Sequence, residues 1–514
     1  MGAEWLETYT GPRHDITDAD NTRVRWKIDM RLMPIICYIY WCQQLDKSTL
    51  SFAAVFNIQK DAGLVGTQYS WLSSIVYFAQ LVCQPLSVYA LVRFPVNIWI
   101  STCFFLWGTS LCIMTAMKSF AGLATMRFIL GGFEASIAPS MLIVVAMWWT
   151  RREQPLRNNI WYSTNGLATI LGSLLSYGLG HINSPHLRPY QIIFLACGLI
   201  SVTLSIPTFF IFPRHPSRAK WLSDEDKFVA LERIRLNQTG TQNTHFKWDQ
   251  VRECLIDPKS WMWVLMVFCI SLVSGGIGAF GPLILKGFGL SSFQTILYNM
   301  IPGAISIVSN IGTAFLIMKF KRKSPILFIV SLFPLAAAVA LYKLPRGNEH
   351  RHSLLAVFFI LQVYQCITPI IFSWTFSNTA GHTKKTTTTG MLYLGLTVGN
   401  IVGPQLYKSA QAPYYHTGLE ANMGCLVALS ALILLQAFYL GILNKRNVAR
   451  RRANGKTGEL VDYSLESSSK WQSLRADQAA KDEAEGVGAQ AKEHNAHAFD
   501  DLTDLQNEDF IYSQ

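Results

Sequence analysis

The sequence predicts an all-α membrane protein of twelve spans in two six-helix bundles, and three observations carry that reading. Half of the 514 residues are hydrophobic, only 15% are charged and the mean hydropathy is positive, which is too apolar for an ordinary soluble enzyme of this length. Apolar runs of about 20 residues, enough to cross a bilayer core of roughly 30 Å as helix, recur along the chain. A polar stretch at 213–260 interrupts them after the sixth.

The spacing places the spans at 32–54, 68–90, 97–116, 120–148, 158–180, 190–212, 261–285, 293–318, 325–344, 353–376, 386–408 and 421–443. The chain therefore divides into an N-terminal segment (1–31), an N-terminal bundle (32–212), a central loop (213–260), a C-terminal bundle (261–443) and a tail (444–514). Within the central loop Ser223 to Leu236 suits a short helix, with Ser223 as cap, Asp224 and Glu225 at its positive end and Arg233 and Arg235 near its negative end. The tail begins basic, becomes rich in Ala, Glu, Asp and Lys, and is expected to be largely disordered. Two six-span bundles joined by a polar connector form the major-facilitator layout.

Orientation follows from Lys and Arg. Arg23, Arg25, Lys27 and Arg31 precede span 1, Arg151, Arg152 and Arg157 lie between spans 4 and 5, and Lys319, Lys321, Arg322, Lys323, Lys384, Lys385 and Arg450 to Arg452 fall on the same side. The positive-inside rule makes that side, and both termini, cytoplasmic, with the plasma membrane as the expected location. The first 30 residues are polar and lack a cleavage site, so no removable signal peptide is expected. The net charge of +12 sits at span ends, where anionic lipid headgroups explain it better than nucleic acid. Nine of the ten cysteines lie in or beside apolar spans and none forms a CxxC pair, which disfavours disulfide and zinc frameworks. The sequon Asn237-Gln238-Thr239 falls in the cytosolic loop and is expected to carry no glycan. No phosphate loop or dinucleotide fingerprint is present, so no cofactor is expected and the energy source is an ion or substrate gradient.

Four ionisable residues lie inside the N-terminal spans, Asp46 and Lys47 in span 1 and Arg127 and Glu134 in span 4, whereas the C-terminal spans contain no Asp or Glu. A charge at membrane depth costs roughly 2.5–3.5 kcal/mol even on gentle scales, so such groups normally line a substrate or ion path. Arg127 and Glu134 are two helical turns apart, on one face that should point at a central cavity. The four charges sum to zero, which a low-dielectric cavity tolerates only with close pairing. An entering carboxylate would compete for Arg127 or Lys47, and the acid left without its cation would then take a proton from outside, which is anion and proton co-transport. Arg127 is the first choice for substrate, because a guanidinium donates two parallel hydrogen bonds to a carboxylate. Two blander readings stay open: Lys47 snorkels to the interface with Asp46, and Arg127 with Glu134 form a fixed clamp.

The segments Leu45-Asp46-Lys47-Ser48-Thr49-Leu50-Ser51, Arg127-Phe128-Ile129-Leu130-Gly131-Gly132-Phe133-Glu134-Ala135-Ser136 and Arg152-Glu153-Gln154-Pro155-Leu156-Arg157 resemble the anion:cation symporter branch of the major facilitators, and more narrowly the fungal allantoate permease group. Gly381 to Lys385, Gly399 to Gln405 and the tail Asp501-Leu502-Thr503-Asp504 with Asn507, Phe510 and Tyr512 extend the resemblance over essentially the whole chain. It implies proton-coupled uptake of a small organic anion such as a ureide, pyridine carboxylate or vitamin-like acid; a monomer is expected. It also implies proton coupling by Asp46 and Glu134, assisted by Lys47 and Arg127, with Tyr77, Trp374 and Asn400 as cavity residues. For Tyr77 the competing reading is an interface residue, and for Trp374 an aromatic-belt anchor near the inner surface. Asn400 competes as a helix bridge, since Gly395, Gly399 and Gly403 form a small-residue stripe.

The pattern is departed from between spans 2 and 3, where Leu91-Val92-Arg93-Phe94-Pro95-Val96-Asn97 keeps only Arg93 of the usual charged motif, and at Gln44, where relatives often carry an aromatic residue. A proton-antiporting exporter on the same scaffold lacks its expected glycine-proline signature in span 5, which reads Asn165 to Gly172. A membrane-embedded acyltransferase would need a nucleophile and base, and the histidines are scattered over loops and ends. A non-transporting nutrient sensor on the same fold is the third alternative.

Overall fold

In the computed structural model the described residues are 17–150, 153–182, 184–235, 247–345, 348–453, 502–508 and 510–513. Arg151, Arg152, the sequon at 237–239, Leu236, and residues 454–501 lie outside them. The described chain is helical without strands.

Nine helices are long and apolar enough to cross a membrane among the described residues, against twelve expected. The other three, Asp18–Val55, Gln154–Gly180 and His382–Gln405, are equally long but diluted by charge, by Asn158, Asn159 and Asn165, and by the Thr386 to Thr389 run. They correspond to spans 1, 5 and 11, each of which also packs on the other half. The two halves repeat one plan: span 1 packs on 5, 2 on 4 and 3 on 6, and likewise 7 on 11, 8 on 10 and 9 on 12. Between halves, span 1 meets 7, 2 meets 11 and 5 meets 8.

Span 1 starts earlier than the hydropathy placed it. Thr17 and Asp20 form a capping box, and the 38-residue helix is about 57 Å long, so its charged first turns project beyond the apolar slab. Those turns bind other polar elements. Lys27 Nζ lies 2.5 Å from Asp226 of the linker helix Asp224–Arg235, whose cap is Ser223, and Asp29 accepts from Trp149 (2.7 Å) and Arg157.

Three spans are broken. Span 4 divides at Ala135 and Ser136, span 8 at Asn299, and span 10 at a tight 3-10 turn, Gln362–Cys366. Discontinuous helices of this kind mark binding sites in transporter folds, because unwound backbone is tolerated only beside a cavity or protein.

The halves join at the end away from the basic clusters. Tyr69 Oη donates to Ala279 O (2.8 Å), Ser74 Oγ to Ile401 O (2.7 Å) and Lys286 Nζ to Val55 O (2.7 Å), while Phe56 and Phe293 meet edge to face. The tail differs from expectation at both ends. Span 12 runs as one helix from His416 to Ala453, and residues near the C-terminus pack on the bundle, with Asp504 and Tyr512 buried.

Span 11 approaches span 7 through its glycines: a Cβ on Gly395 would lie 2.9 Å from Val264 O, one on Gly399 2.6 Å from Phe268 O, and one on Gly403 would strike Leu272 O. Backbone cannot yield as a side chain can, so Gly403→Leu should abolish a monodisperse detergent-extracted protein, while Gly390→Leu, with nothing within 4 Å, should not. Equal chromatographic profiles for the two variants would rule this packing out.

Candidate functional site

A chamber of about 230 Å³ lies between the halves, close to the lower limit of the roughly 300–1,000 Å³ that drug-sized ligands occupy, so its size suits a small metabolite. Its N-terminal wall carries Gln44, Lys47, Tyr77, Arg127, Tyr162 and Asn165; its C-terminal wall carries Asn299, Asn310, Gln362, Gln365 and several hydroxyls. Two cations line it, and no carboxylate does among the described residues.

The four expected charges are arranged differently from a single pooled cluster. Lys47 Nζ lies 3.6 Å from Glu134 Oε2 and 5.7 Å from the centre of the Tyr77 ring. Glu134 is buried; its Oε2 also accepts from Gln80 Nε2 at 3.2 Å, and its Oε1 has no partner among the described residues. Arg127 does not clamp Glu134. Its guanidinium lines the chamber, is 2% exposed, and its Nε and Nη2 have no hydrogen-bond partner among the described residues.

Asp46 turns away. Adjacent helical residues point roughly 100° apart, so with Lys47 facing the chamber Asp46 faces spans 3 and 6. There its Oδ2 accepts from Trp107 Nε1 (2.8 Å) and Ser201 Oγ (2.7 Å), its Oδ1 has no partner among the described residues, and the residue is fully buried. The snorkelling reading fails for the same reason.

Tyr77 lines the chamber as expected; Trp374 and Asn400 do not. Trp374 is buried in the lower half of span 10, edge-on to Trp263, with Nε1 donating to Ser513 O. Asn400 donates to Leu396 O of its own helix and backs onto Gly275, where a Cβ would meet its Cα at 2.9 Å, so it serves helix packing. The chamber carboxamides escaped sequence reading, although a signal existed: Gln362 and Gln365 interrupt an apolar run, and Asn299 and Asn310 are eleven residues apart, which returns to nearly the same helical face. Trp107 and Ser201 gave no such signal.

An all-helical bundle pair with a polar chamber at broken helices is the architecture of a secondary transporter. The family model for the Major Facilitator Superfamily matches residues 36–404, and the chain belongs to that superfamily, a multi-pass integral membrane protein. It is 36% identical to an uncharacterized transporter of Schizosaccharomyces pombe over 87% of this chain and 84% of the relative. It is 27% identical to the allantoate permease of Saccharomyces cerevisiae over 97% of this chain and 88% of that one, in line with the resemblance read from its motifs. Among solved structures it is similar in fold to a bacterial homologue of the human lysosomal transporter Spinster in an inward-facing, occupied conformation, with a TM-score of 0.60, 15% identity, and 79% of this chain and 96% of that one covered.

Removing one partner of a buried ion pair strands the other. Lys47→Met should therefore lower the thermal midpoint in detergent, at a cost of up to about 3 kcal/mol, and Lys47→Met with Glu134→Gln should recover most of the loss. A single Lys47→Met variant as stable as the parent would show that the pair contributes nothing.

Proposed function

We propose that the protein is a proton-coupled importer of a small organic anion, working by alternating access around the chamber. The observation that carries this reading is Arg127: a buried guanidinium on the chamber wall with two nitrogens lacking partners. A bare buried cation is costly, and a planar carboxylate is the ligand whose two oxygens match its fork. Lys47 lines the same wall, while the opposite wall offers neutral amides that would hydrogen-bond the rest of the cargo. The relative named allantoate permease, whose named cargo is a carboxylate, supports the same class.

The basic ends of the spans face the cytosol on this reading, with both termini inside and the plasma membrane as the location. The chamber is then closed to the outside by the Tyr69, Ser74 and Lys286 bonds. An anion that engages Arg127 also draws on Lys47, and Glu134, deprived of part of its cation, takes a proton. Asp46 acts from behind the chamber, where its charge state is read through Trp107 and Ser201 by spans 3 and 6. Driving an anion into a negative interior costs about 2.3 kcal/mol per charge per 100 mV, which one proton cancels for a monoanion. An enzyme reading finds less support, since the relatives are named as transporters.

A substrate-panel uptake screen in a transporter-deficient host, with and without an imposed inward proton gradient, tests the proposal directly. Uptake of a carboxylate should rise with the gradient; export under the same gradient would favour the antiporter, and binding without flux the sensor. Arg127→Lys should weaken apparent affinity at least tenfold, and unchanged affinity would remove Arg127 from the site. Asp46→Asn and Glu134→Gln should each abolish accumulation while sparing exchange, and uphill transport in both variants would reject their coupling role.

A further inference from the structure

At the basic end of the C-terminal half four charged side chains are packed out of water: Lys259, Lys384, Asp257 and Asp504, each with at most 1% of its side chain exposed. Asp504 comes from the far end of the chain. Its carboxylate bonds Lys259, lies 3.0 Å from Lys384 Nζ, and accepts from Ala380 N at 3.3 Å. Asp504 supplies the second fully buried carboxylate that matches the two buried lysines, the other being Asp257, with the partly exposed Glu253 beside Lys384. Burial alone would raise the Asp504 carboxyl above its ordinary range, yet Lys259 and Lys384 reverse the sign and hold it below, so the group is ionised at neutral pH.

The rest of the segment is read residue by residue. Tyr512 Oη donates to Asp504 Oδ2 (3.0 Å) and its ring lies under Lys259 Nζ at 4.8 Å. Asn444 makes two bonds to the Tyr512 backbone, both 2.8 Å; Asn447 donates to Phe510 O (2.9 Å) and Arg450 to Leu505 O (2.8 Å). Trp374 Nε1 (2.9 Å) and Asn378 Nδ2 (3.0 Å) both donate to Ser513 O. The bonds reach spans 7, 10, 11 and 12, and on span 10 they all fall below the break at Gln362–Cys366 whose residues line the chamber. The N-terminal half has a counterpart. There Asp29 meets Arg157, and the linker helix closes the end through Arg233 Nη2 to Glu153 at 2.7 Å and through Asp226 to Lys27.

We propose that the basic end of the C-terminal half is a recognition site for an acidic, aromatic peptide, that its occupant is this chain's own residues 502–508 and 510–513, and that occupancy pins the part of span 10 between its break and the basic end. The segment is a separable ligand: it is held by its Asp and Tyr side chains and by its backbone, so it binds when supplied in trans. The inference holds whatever the cargo is, since binding of the segment is measured without transport.

The test uses a chain ending at residue 501 in detergent and a fluorescent synthetic peptide of residues 502–514. The peptide should bind saturably and raise the thermal midpoint of the shortened protein, and peptides carrying Asp504→Asn or Tyr512→Ala should bind at least tenfold more weakly. No saturable binding, or equal binding by the altered peptides, would overturn the proposal. Should the shortened chain not fold, the full chain with Asp504→Asn gives a second reading. Cys366, buried at the break of span 10, should then react faster with a maleimide, by mass mapping, while buried Cys42 and Cys103 of the other half keep their rates. Unchanged labelling of Cys366 would sever the link between the segment and span 10.

Discussion

The ion pair between Lys47 and Glu134 is what the site depends on. In a low-dielectric interior a carboxylate takes the cation geometry allows it, and Glu134 has taken Lys47 together with Gln80. Arg127 shares a helix with Glu134 but is thereby left over, buried and facing the chamber with nitrogens to spare. The imbalance is local. A second acid that could have neutralised Arg127, Asp46, is instead held by Trp107 and Ser201 on the other side of span 1. The wall thus presents positive charge to the chamber while its acids stand behind it.

The facing wall complements that charge without opposing it. Asn299 of span 8 and Gln362 and Gln365 of span 10 reach the chamber from the breaks in those helices, and Ser306 and Asn310 reach it from the continuous helix that follows the break in span 8. A carboxylate opposite Arg127 would have competed with any anionic cargo; amides donate and accept without doing so. The bonds joining the halves cluster at one end, where Tyr69 also packs on Phe280 and Phe56 on Phe293, so opening there requires polar bonds to break and aromatic contacts to part.

At the basic ends the physics differs. Charged side chains there are matched by segments that lie outside the twelve spans, the linker helix on one half and the terminal residues on the other. Each half is therefore tied as a unit at its basic end, which suits rigid-body rocking of one bundle against the other.

The fold was legible from sequence because bilayer thickness imposes a length and an apolarity that no tertiary contact needs to explain. The sequence by itself also isolated Asp46, Lys47, Arg127 and Glu134, since charge in an apolar run is costly enough to be conspicuous. It could not partner them. Which cation meets Glu134, and which side of span 1 Asp46 faces, depend on the rotation of helices set by packing from distant spans. Low apolarity misled at the end of the chain, where Asp504 and Tyr512 look like part of a solvated tail until they are seen packed against Lys259 and Lys384. Composition reports what a residue costs to bury; only the tertiary structure decides who shares that cost, because the partner is remote in sequence, as Asp504 is from Lys259.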